Sequence, residues 1–175
     1  MAESGDAHAP FLHGHSPGAA WLLLLVGLPG SGKSFWAQQF VMNQPGYRVV
    51  STDAIRASLY GDAAVQGDWQ QVWLQVLTQW QQGLRAIQQG QAVGVIYDAT
   101  NARRRYRREA IAAARSLGFT HITLGWFDVP LAVALARNQG RSRQVPPAVI
   151  ETMHRQLQAA PPTLAEGVDR IVKLP

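Results

Sequence analysis

The chain has 175 residues, a net charge of +5 and no cysteine, and 47% of its residues are apolar. This length suits one α/β domain, and the absence of cysteine excludes disulfides and thiolate metal sites. The basic charge favours anionic partners, nucleic acid among them. Because the longest apolar run is too short to span a bilayer and follows no positively charged leader, we expect a cytoplasmic protein without membrane association.

The first elements are predicted from composition and apolar spacing. Residues 1–20 are rich in Ala, Gly, His and Pro, which predicts a flexible tail before one domain over residues 21–175. The continuous apolar run at 21–26 is typical of a strand buried on both faces of a parallel sheet. A helix should follow through Phe35 and Val41, and a second strand should follow at 47–51.

The rest of the chain continues to alternate between strands and helices. Asp68 is predicted to cap a long helix whose apolar positions recur at intervals of three and four. The remaining predicted elements are a strand at 92–97, a helix at 103–117, a strand at 121–127, helices at 131–137 and 147–157, and a strand at 168–174. This order predicts a parallel sheet with helices on both faces.

The first strand leads into a complete P-loop pattern. Its members are Gly27, Leu28, Pro29, Gly30, Ser31, Gly32, Lys33 and Ser34. In such a loop, backbone amides and the N-terminus of the next helix surround the phosphates of a nucleotide. Lys33 should reach the β- and γ-phosphates, and the Ser34 hydroxyl should hold Mg²⁺. A chance glycine-rich turn is the alternative, but the strand before and the helix after favour the P-loop.

A carboxylate and an arginine follow the second predicted strand. Asp53 should lie at the carboxyl edge of the sheet, where ligands bind in such folds. It can accept a proton from an attacking hydroxyl group. Arg56, three residues later, can share its helix face and clamp an acceptor phosphate. The alternative is that Asp53 caps a helix and Arg56 is a surface residue.

Asp98 ends the third predicted strand. A carboxylate there is typical of a Walker-B-like position, which binds Mg²⁺ directly or through water. Thr100 and Asn101 follow, and the sequence favours a capping role for them at the next helix over a ligand role.

Five arginines lie at the start of the next predicted helix. They are Arg103, Arg104, Arg105, Arg107 and Arg108. Positive charges in the first turn oppose the helix dipole, and only Arg105 has an acidic partner at four residues, Glu109. A solvated basic face is the favoured interpretation, and a surface for a nucleic-acid backbone is the alternative.

A basic segment with a glycine joins the last two predicted helices. It contains Arg137, Gly140 and Arg141, a combination that suits a lid closing over a transferring phosphoryl group. Arg137 and Arg141 can share a face if the helix extends that far, and one of them can then neutralise the transition state.

These motifs together resemble one branch of a known family. The segments GLPGSGKS, STDAIR, DATN and RNQGRSRQVP resemble the polynucleotide 5′-hydroxyl kinase branch of the P-loop kinases, which carry an AAA-type ATP-binding domain. The resemblance implies an adenylate-kinase-like three-layer α/β/α sandwich with a lid, and ATP and Mg²⁺ as cofactors. It implies Asp53 as the base towards a 5′-hydroxyl, Arg56 as the contact to the neighbouring phosphate, and Arg137 and Arg141 as lid residues on ATP.

Three functions are compatible with this sequence. The first is a kinase that transfers the ATP γ-phosphate to the 5′-hydroxyl of a polynucleotide. The second is a kinase of the same fold with a small-molecule acceptor, which would use the same residues. The third is a nucleotide-binding module without transferase activity, which would not need a base at position 53.

Overall fold

A computed structural model describes residues 18–175 of the chain. Residues 1–17 of the predicted tail therefore lie outside the described residues. Ala20 is buried, its N–H donates to Oγ1 of Thr120, and its carbonyl accepts from the backbone N–H of Thr120. No helix within residues 18–175 is long and apolar enough to cross a membrane.

The order of elements follows the alternation that the sequence predicts. The strands are β1 (Trp21–Gly27), β2 (Tyr47–Ser51), β3 (Gly94–Asp98), β4 (His121–Phe127) and β5 (Arg170–Lys173). The helices are α1 (Lys33–Asn43), α2 (Thr52–Tyr60), α3 (Trp69–Gln88), α4 (Arg104–Leu117), α5 (Leu131–Gln139) and α6 (Pro147–Ala159), and a 3₁₀ turn spans Leu164–Glu166. Asp68 accepts from the Gln70 N–H at 2.9 Å, which confirms its predicted role as the cap of α3.

The five strands form one parallel sheet in the order β2-β3-β1-β4-β5. The central strand β1 is apolar along its whole length because helices cover both of its faces. Its Leu22, Leu24 and Val26 belong to a core shared with α3, α4 and α6. Its Leu23 and Leu25 belong to a second core under α1. The predicted three-layer α/β/α architecture is confirmed.

The register of the sheet determines where the functional segments meet. Ser51 at the end of β2 pairs with Asp98 at the end of β3, and β3 pairs in turn with β1. The carboxyl ends of these strands therefore form one edge of the sheet. The loop after β1, the start of α2 and Asp98 all lie along it, which is where ligands bind in open α/β sheets.

Candidate active site

A cleft of about 1770 Å³ opens along this edge of the sheet. Its walls include the loop between β1 and α1, the starts of α2, α3 and α4, the end of β3 and the segment after α5. The predicted site residues that line it are Pro29, Gly30, Ser31, Gly32, Lys33, Ser34, Asp53, Arg56, Asp98, Arg137 and Arg141. The structure thus brings together side chains that the sequence places far apart.

The loop of the P-loop pattern needs glycine for two separate reasons. Gly30 has φ +82°, and a Cβ at this position would lie 2.3 Å from the Ala134 carbonyl oxygen of α5. Gly32 has φ +100° and precedes α1 without any side-chain cap. Because no side chain among residues 18–175 caps this helix N-terminus and its first turn holds no acidic residue, its N–H groups can bind an anion.

Lys33 is the first residue of α1 and its side chain is buried. Its Nζ donates to the carbonyl oxygens of Gly27 at 2.9 Å and Leu28 at 2.7 Å, and to Ser31 Oγ at 3.2 Å. Burial lowers the pKa of Lys33 to about 8; Arg141 also lowers it, whereas Asp98 and Asp53 oppose the shift. All three donors of this ammonium go to neutral oxygens, so Lys33 would exchange one or more of them for a phosphate oxygen when a nucleotide binds.

Ser34 and Asp98 form the part of the site that fits a hard cation. The Ser34 hydroxyl hydrogen-bonds to the buried Asp98 carboxylate. Burial raises the pKa of Asp98, and the bond to Ser34 and the charge of Lys33 oppose the rise. A hydroxyl and a carboxylate are oxygen donors of the kind Mg²⁺ prefers, and Mg²⁺ commonly keeps several waters beside one or two protein ligands.

Asp53 lies in the first turn of α2 but does not cap it. The cap is Ser51, whose Oγ accepts from the Ala54 N–H at 3.4 Å, so the capping interpretation of Asp53 is wrong. The Asp53 carboxylate is half-exposed in the cleft and is held from two sides. Arg56 Nη1 lies 3.3 Å from Oδ1, and Arg143 Nη1 lies 2.9 Å from Oδ2.

Arg56 shares the face of Asp53, as its spacing predicts. Its side chain is 13% exposed, and its Nε is buried without a hydrogen-bond partner among the described residues. Its guanidinium lies 6.0 Å from the centre of the Trp69 ring. Because the rest of the side chain keeps some exposure and lines the cleft, Arg56 can bind a further anionic or polar group there.

The segment after α5 lies over the P-loop. Arg137, on α5, donates from Nη1 to the Ser31 carbonyl oxygen at 3.5 Å. Helix α5 ends at Gln139, so Arg137 and Arg141 do not share a helix face, although both line the cleft. The loop between α5 and α6 is fixed at its base by Asn138. The Asn138 side chain donates to the Val145 carbonyl at 2.8 Å and accepts from the Val145 N–H at 2.9 Å.

The capping role predicted for Thr100 and Asn101 at the start of α4 is wrong. The cap position is occupied by Arg103 instead. Asn101 instead adopts φ +47° and donates from its side chain to the Leu25 carbonyl at 2.7 Å, which ties this loop to β1.

Arg107 is not part of a solvated basic face. It is fully buried and pairs with Glu166 through two bonds of 2.7 Å. It also donates to the backbone carbonyl oxygens of Asn101, Ala102 and Ala160. The other arginines of the run are exposed, and Arg105 forms the predicted pair with Glu109 at 2.8 Å.

Sequence reasoning also missed one residue of the site. Arg143 lies in the RNQGRSRQVP segment that is predicted to form a lid, but no sequence pattern assigns it to Asp53. Its only sequence signal is its position two residues after Arg141 in a loop already expected to close over the site.

Comparison with protein families and solved structures gives results that agree with this geometry. The family model of an AAA domain matches residues 22–160. A chain of the Pnkp1/Rnl/Hen1 RNA repair complex is similar at 23% identity with a TM-score of 0.66, over 86% of this chain and 47% of that chain. This chain therefore spans about half the length of that protein.

Two other solved structures are similar in fold. The tunicamycin resistance protein of Deinococcus radiodurans is 19% identical with a TM-score of 0.59, over 87% of this chain and 85% of that chain. A fungal RNA kinase is 12% identical with a TM-score of 0.61, over 90% of this chain and 38% of that chain. At these identities the similarity establishes a common fold.

Proposed function

This chain belongs to the AAA domain family and has a kinase-like P-loop fold, and from that membership and its site we propose that it transfers the γ-phosphate of ATP to the 5′-hydroxyl of a polynucleotide. The observation that carries the proposal is the position of Asp53. Its carboxylate is half-exposed in the same cleft as the P-loop and lies beside Arg56. A module that only bound nucleotide would not need a carboxylate there.

Different residues around the cleft bind phosphate, hold the metal and accept the proton in the proposed reaction. ATP, when bound, supplies the phosphoryl group, and Mg²⁺ supplies positive charge against its oxygens. Lys33 and the amides of the P-loop bind phosphate oxygens, and Ser34 and Asp98 would hold the metal. Asp53 accepts the proton of the acceptor hydroxyl at its carboxylate.

The lid arginines complete this arrangement. Arg137 already donates a hydrogen bond to the Ser31 carbonyl oxygen of the P-loop. The charge of Arg141 lowers the pKa of both Lys33 and Asp98. Positive groups at these positions stabilise charge that develops on the transferring group. Closure of the segment after α5 would also exclude water, which otherwise competes with the acceptor hydroxyl.

Three observations favour a polynucleotide as the acceptor. Arg56 is a cation that lines the cleft beside the predicted base, where it can contact a phosphate adjoining the 5′-hydroxyl. Exposed arginines continue along the start of α4. Two of the similar solved proteins are an RNA kinase and a chain of an RNA repair complex.

A small-molecule acceptor is the second candidate. It is supported by the similarity to the tunicamycin resistance protein. The match covers 85% of that protein, compared with 47% of the RNA repair chain and 38% of the RNA kinase. Such an enzyme would use the same P-loop and base. The two candidates differ only in what occupies the acceptor side of the cleft.

The test uses one oligonucleotide in two forms. The protein is incubated with γ-labelled ATP, Mg²⁺ and a single-stranded oligonucleotide that carries either a 5′-hydroxyl or a 5′-phosphate. We expect label on the 5′-hydroxyl form alone, and weaker transfer as salt rises from about 50 to about 200 mM, because a polyanion releases counterions on binding. Label on neither form, with ATP still bound, would reject the polynucleotide acceptor and direct the search to small molecules.

A further inference from the structure

One wall of the cleft carries exposed aromatic rings that the proposed phosphotransfer does not use. Trp69, at the start of α3, is 46% exposed, and Tyr106, at the start of α4, is 47% exposed. Both line the same cleft as Asp53. Large aromatic side chains exposed inside a cleft are typical of binding surfaces.

The tryptophans of α3 change their role along the helix. Trp80 is fully buried against Tyr97 and Phe119, and Trp73 packs partly on the same core. Trp69 stacks on Trp73, with ring centres 6.0 Å apart and planes at 21°, and its exposed area lies in the cleft. The core therefore holds the Trp69 ring in place without covering it.

Each exposed ring is accompanied by an arginine. The Arg56 guanidinium lies 6.0 Å from the centre of the Trp69 ring, and the Arg103 guanidinium lies 5.6 Å from the centre of the Tyr106 ring. Arg56 also contacts Asp53, so Trp69 is only one side chain away from the predicted base. We call Trp69, Tyr106, Arg56 and Arg103 the stacking wall.

We infer that the stacking wall binds a single-stranded nucleic-acid end, with nucleobases stacked on Trp69 and Tyr106 and phosphates bound by Arg56 and Arg103. This inference rests on the proposed function and specifies its acceptor. Base-on-aromatic stacking next to positive charge is the usual means of holding single strands, and it is tolerant of sequence because every base has a π-face. A base-paired end presents its bases already stacked and paired, so it gains little from these rings.

The chemistry of the wall matches the parts of a nucleotide chain. The rings of Trp69 and Tyr106 offer flat faces, and the guanidinium groups of Arg56 and Arg103 offer donors to phosphate oxygens. The lining of the cleft also includes the apolar side chains of Trp73, Ala113, Val149 and Met153 and the polar side chains of Gln66 and Glu109.

The test measures binding without ATP. A 5′-hydroxyl single-stranded oligonucleotide with a fluorophore at its 3′ end is titrated by anisotropy against the full chain and four variants. Trp69→Ala and Tyr106→Ala should each weaken binding on the order of 5- to 100-fold. Trp69→Phe and Tyr106→Phe keep a ring and should stay within about threefold of the parent chain. Unchanged ATP affinity in every variant would show that each remains folded.

A second oligonucleotide separates stacking from charge. Its first nucleotides lack bases but keep the backbone, so it should bind the parent chain weakly, and Trp69→Ala should lower its affinity no further. Parent-like binding of the alanine variants, or equal binding of the abasic and intact strands, would overturn the inference.

If the intact strand is phosphorylated but the alanine variants bind it normally, the stacking wall is rejected and the kinase proposal stands. If the alanine variants lose binding but no strand is ever phosphorylated, the stacking wall stands and the kinase proposal is rejected.

Discussion

Arg143 lies 2.9 Å from the carboxylate of Asp53, on the oxygen that Arg56 does not contact. The predicted base is therefore held by the segment that is expected to close over it. An acceptor hydroxyl that approaches Oδ2 competes with Arg143 for this oxygen. The pair is partly exposed, and such pairs contribute about 0.2–1 kcal/mol.

Substitution of Arg143 tests whether this contact competes with the acceptor. We expect Arg143→Gln to lower the KM for the acceptor by roughly two- to fivefold, since the substrate no longer displaces an ion pair. Arg143→Lys keeps the charge and should remain near the parent value. A rise in KM with Arg143→Gln would mean instead that Arg143 contacts the acceptor directly.

Lys33 predicts a pH dependence of nucleotide binding. Burial depresses its pKa to about 8, so the ammonium that binds phosphate is mostly present at about pH 7, half present near pH 8 and lost as the pH rises further. Affinity for metal-free ATP should therefore weaken roughly tenfold between pH 7 and pH 9, with proton uptake on binding. Titration calorimetry in two buffers of different ionisation enthalpy measures both effects.

The control for this prediction is Lys33→Arg. Arginine stays charged throughout the range, so any remaining pH dependence belongs to ATP itself. Identical profiles for the parent chain and Lys33→Arg would rule out titration of Lys33 as the cause.

Asp98 predicts a metal-specific defect. Asp98→Asn removes the carboxylate that bonds Ser34, so the Mg²⁺ concentration for half-maximal activity should rise and transfer should fall by about 100-fold or more. Binding of metal-free ATP should be retained below neutral pH, where Lys33 stays protonated even though the variant removes a charge that raises its pKa. An unchanged Mg²⁺ titration would contradict the assignment of Asp98.

Arg107 predicts a large effect on stability. Its pair with Glu166 is fully buried, so Arg107→Met leaves a buried carboxylate without its partner and should cost about 3–5 kcal/mol of the free energy of unfolding. Its neighbour Arg108 is exposed, and Arg108→Met should change that free energy by less than about 0.5 kcal/mol. Urea denaturation of both variants makes the comparison, and equal stabilities would contradict the structural role of Arg107.

The elements could be predicted from the sequence wherever local patterns decide them. The apolar run of β1 and the glycines after it predict a buried strand and a tight loop from neighbouring residues alone. The cap at Asp68 is likewise a local hydrogen bond. Strand order is not local: nothing in the sequence states that β1 lies between β3 and β4. The edge that joins Asp53, Asp98 and the P-loop could only be expected from a general rule for parallel sheets.

Long-range partners explain what sequence reasoning missed. Arg107 resembles its neighbours in the sequence because its partner Glu166 lies 59 residues further along the chain. Asn101 looked like a cap because the Leu25 carbonyl that it binds is on another strand. The contact of Arg143 with Asp53 depends on how the loop folds back from Asn138, which no local pattern encodes.

The most direct test of the account is phosphoryl transfer and ATP affinity measured side by side for Asp53→Asn. Asn keeps the shape but cannot accept the proton, so transfer to the acceptor should fall by roughly 10²- to 10⁴-fold while the Kd for ATP changes by less than about twofold. Asp62→Asn, an exposed position just after α2, should match the parent chain in both measurements. Full ATP-dependent activity in Asp53→Asn would contradict the account and favour a nucleotide-binding module without transferase activity.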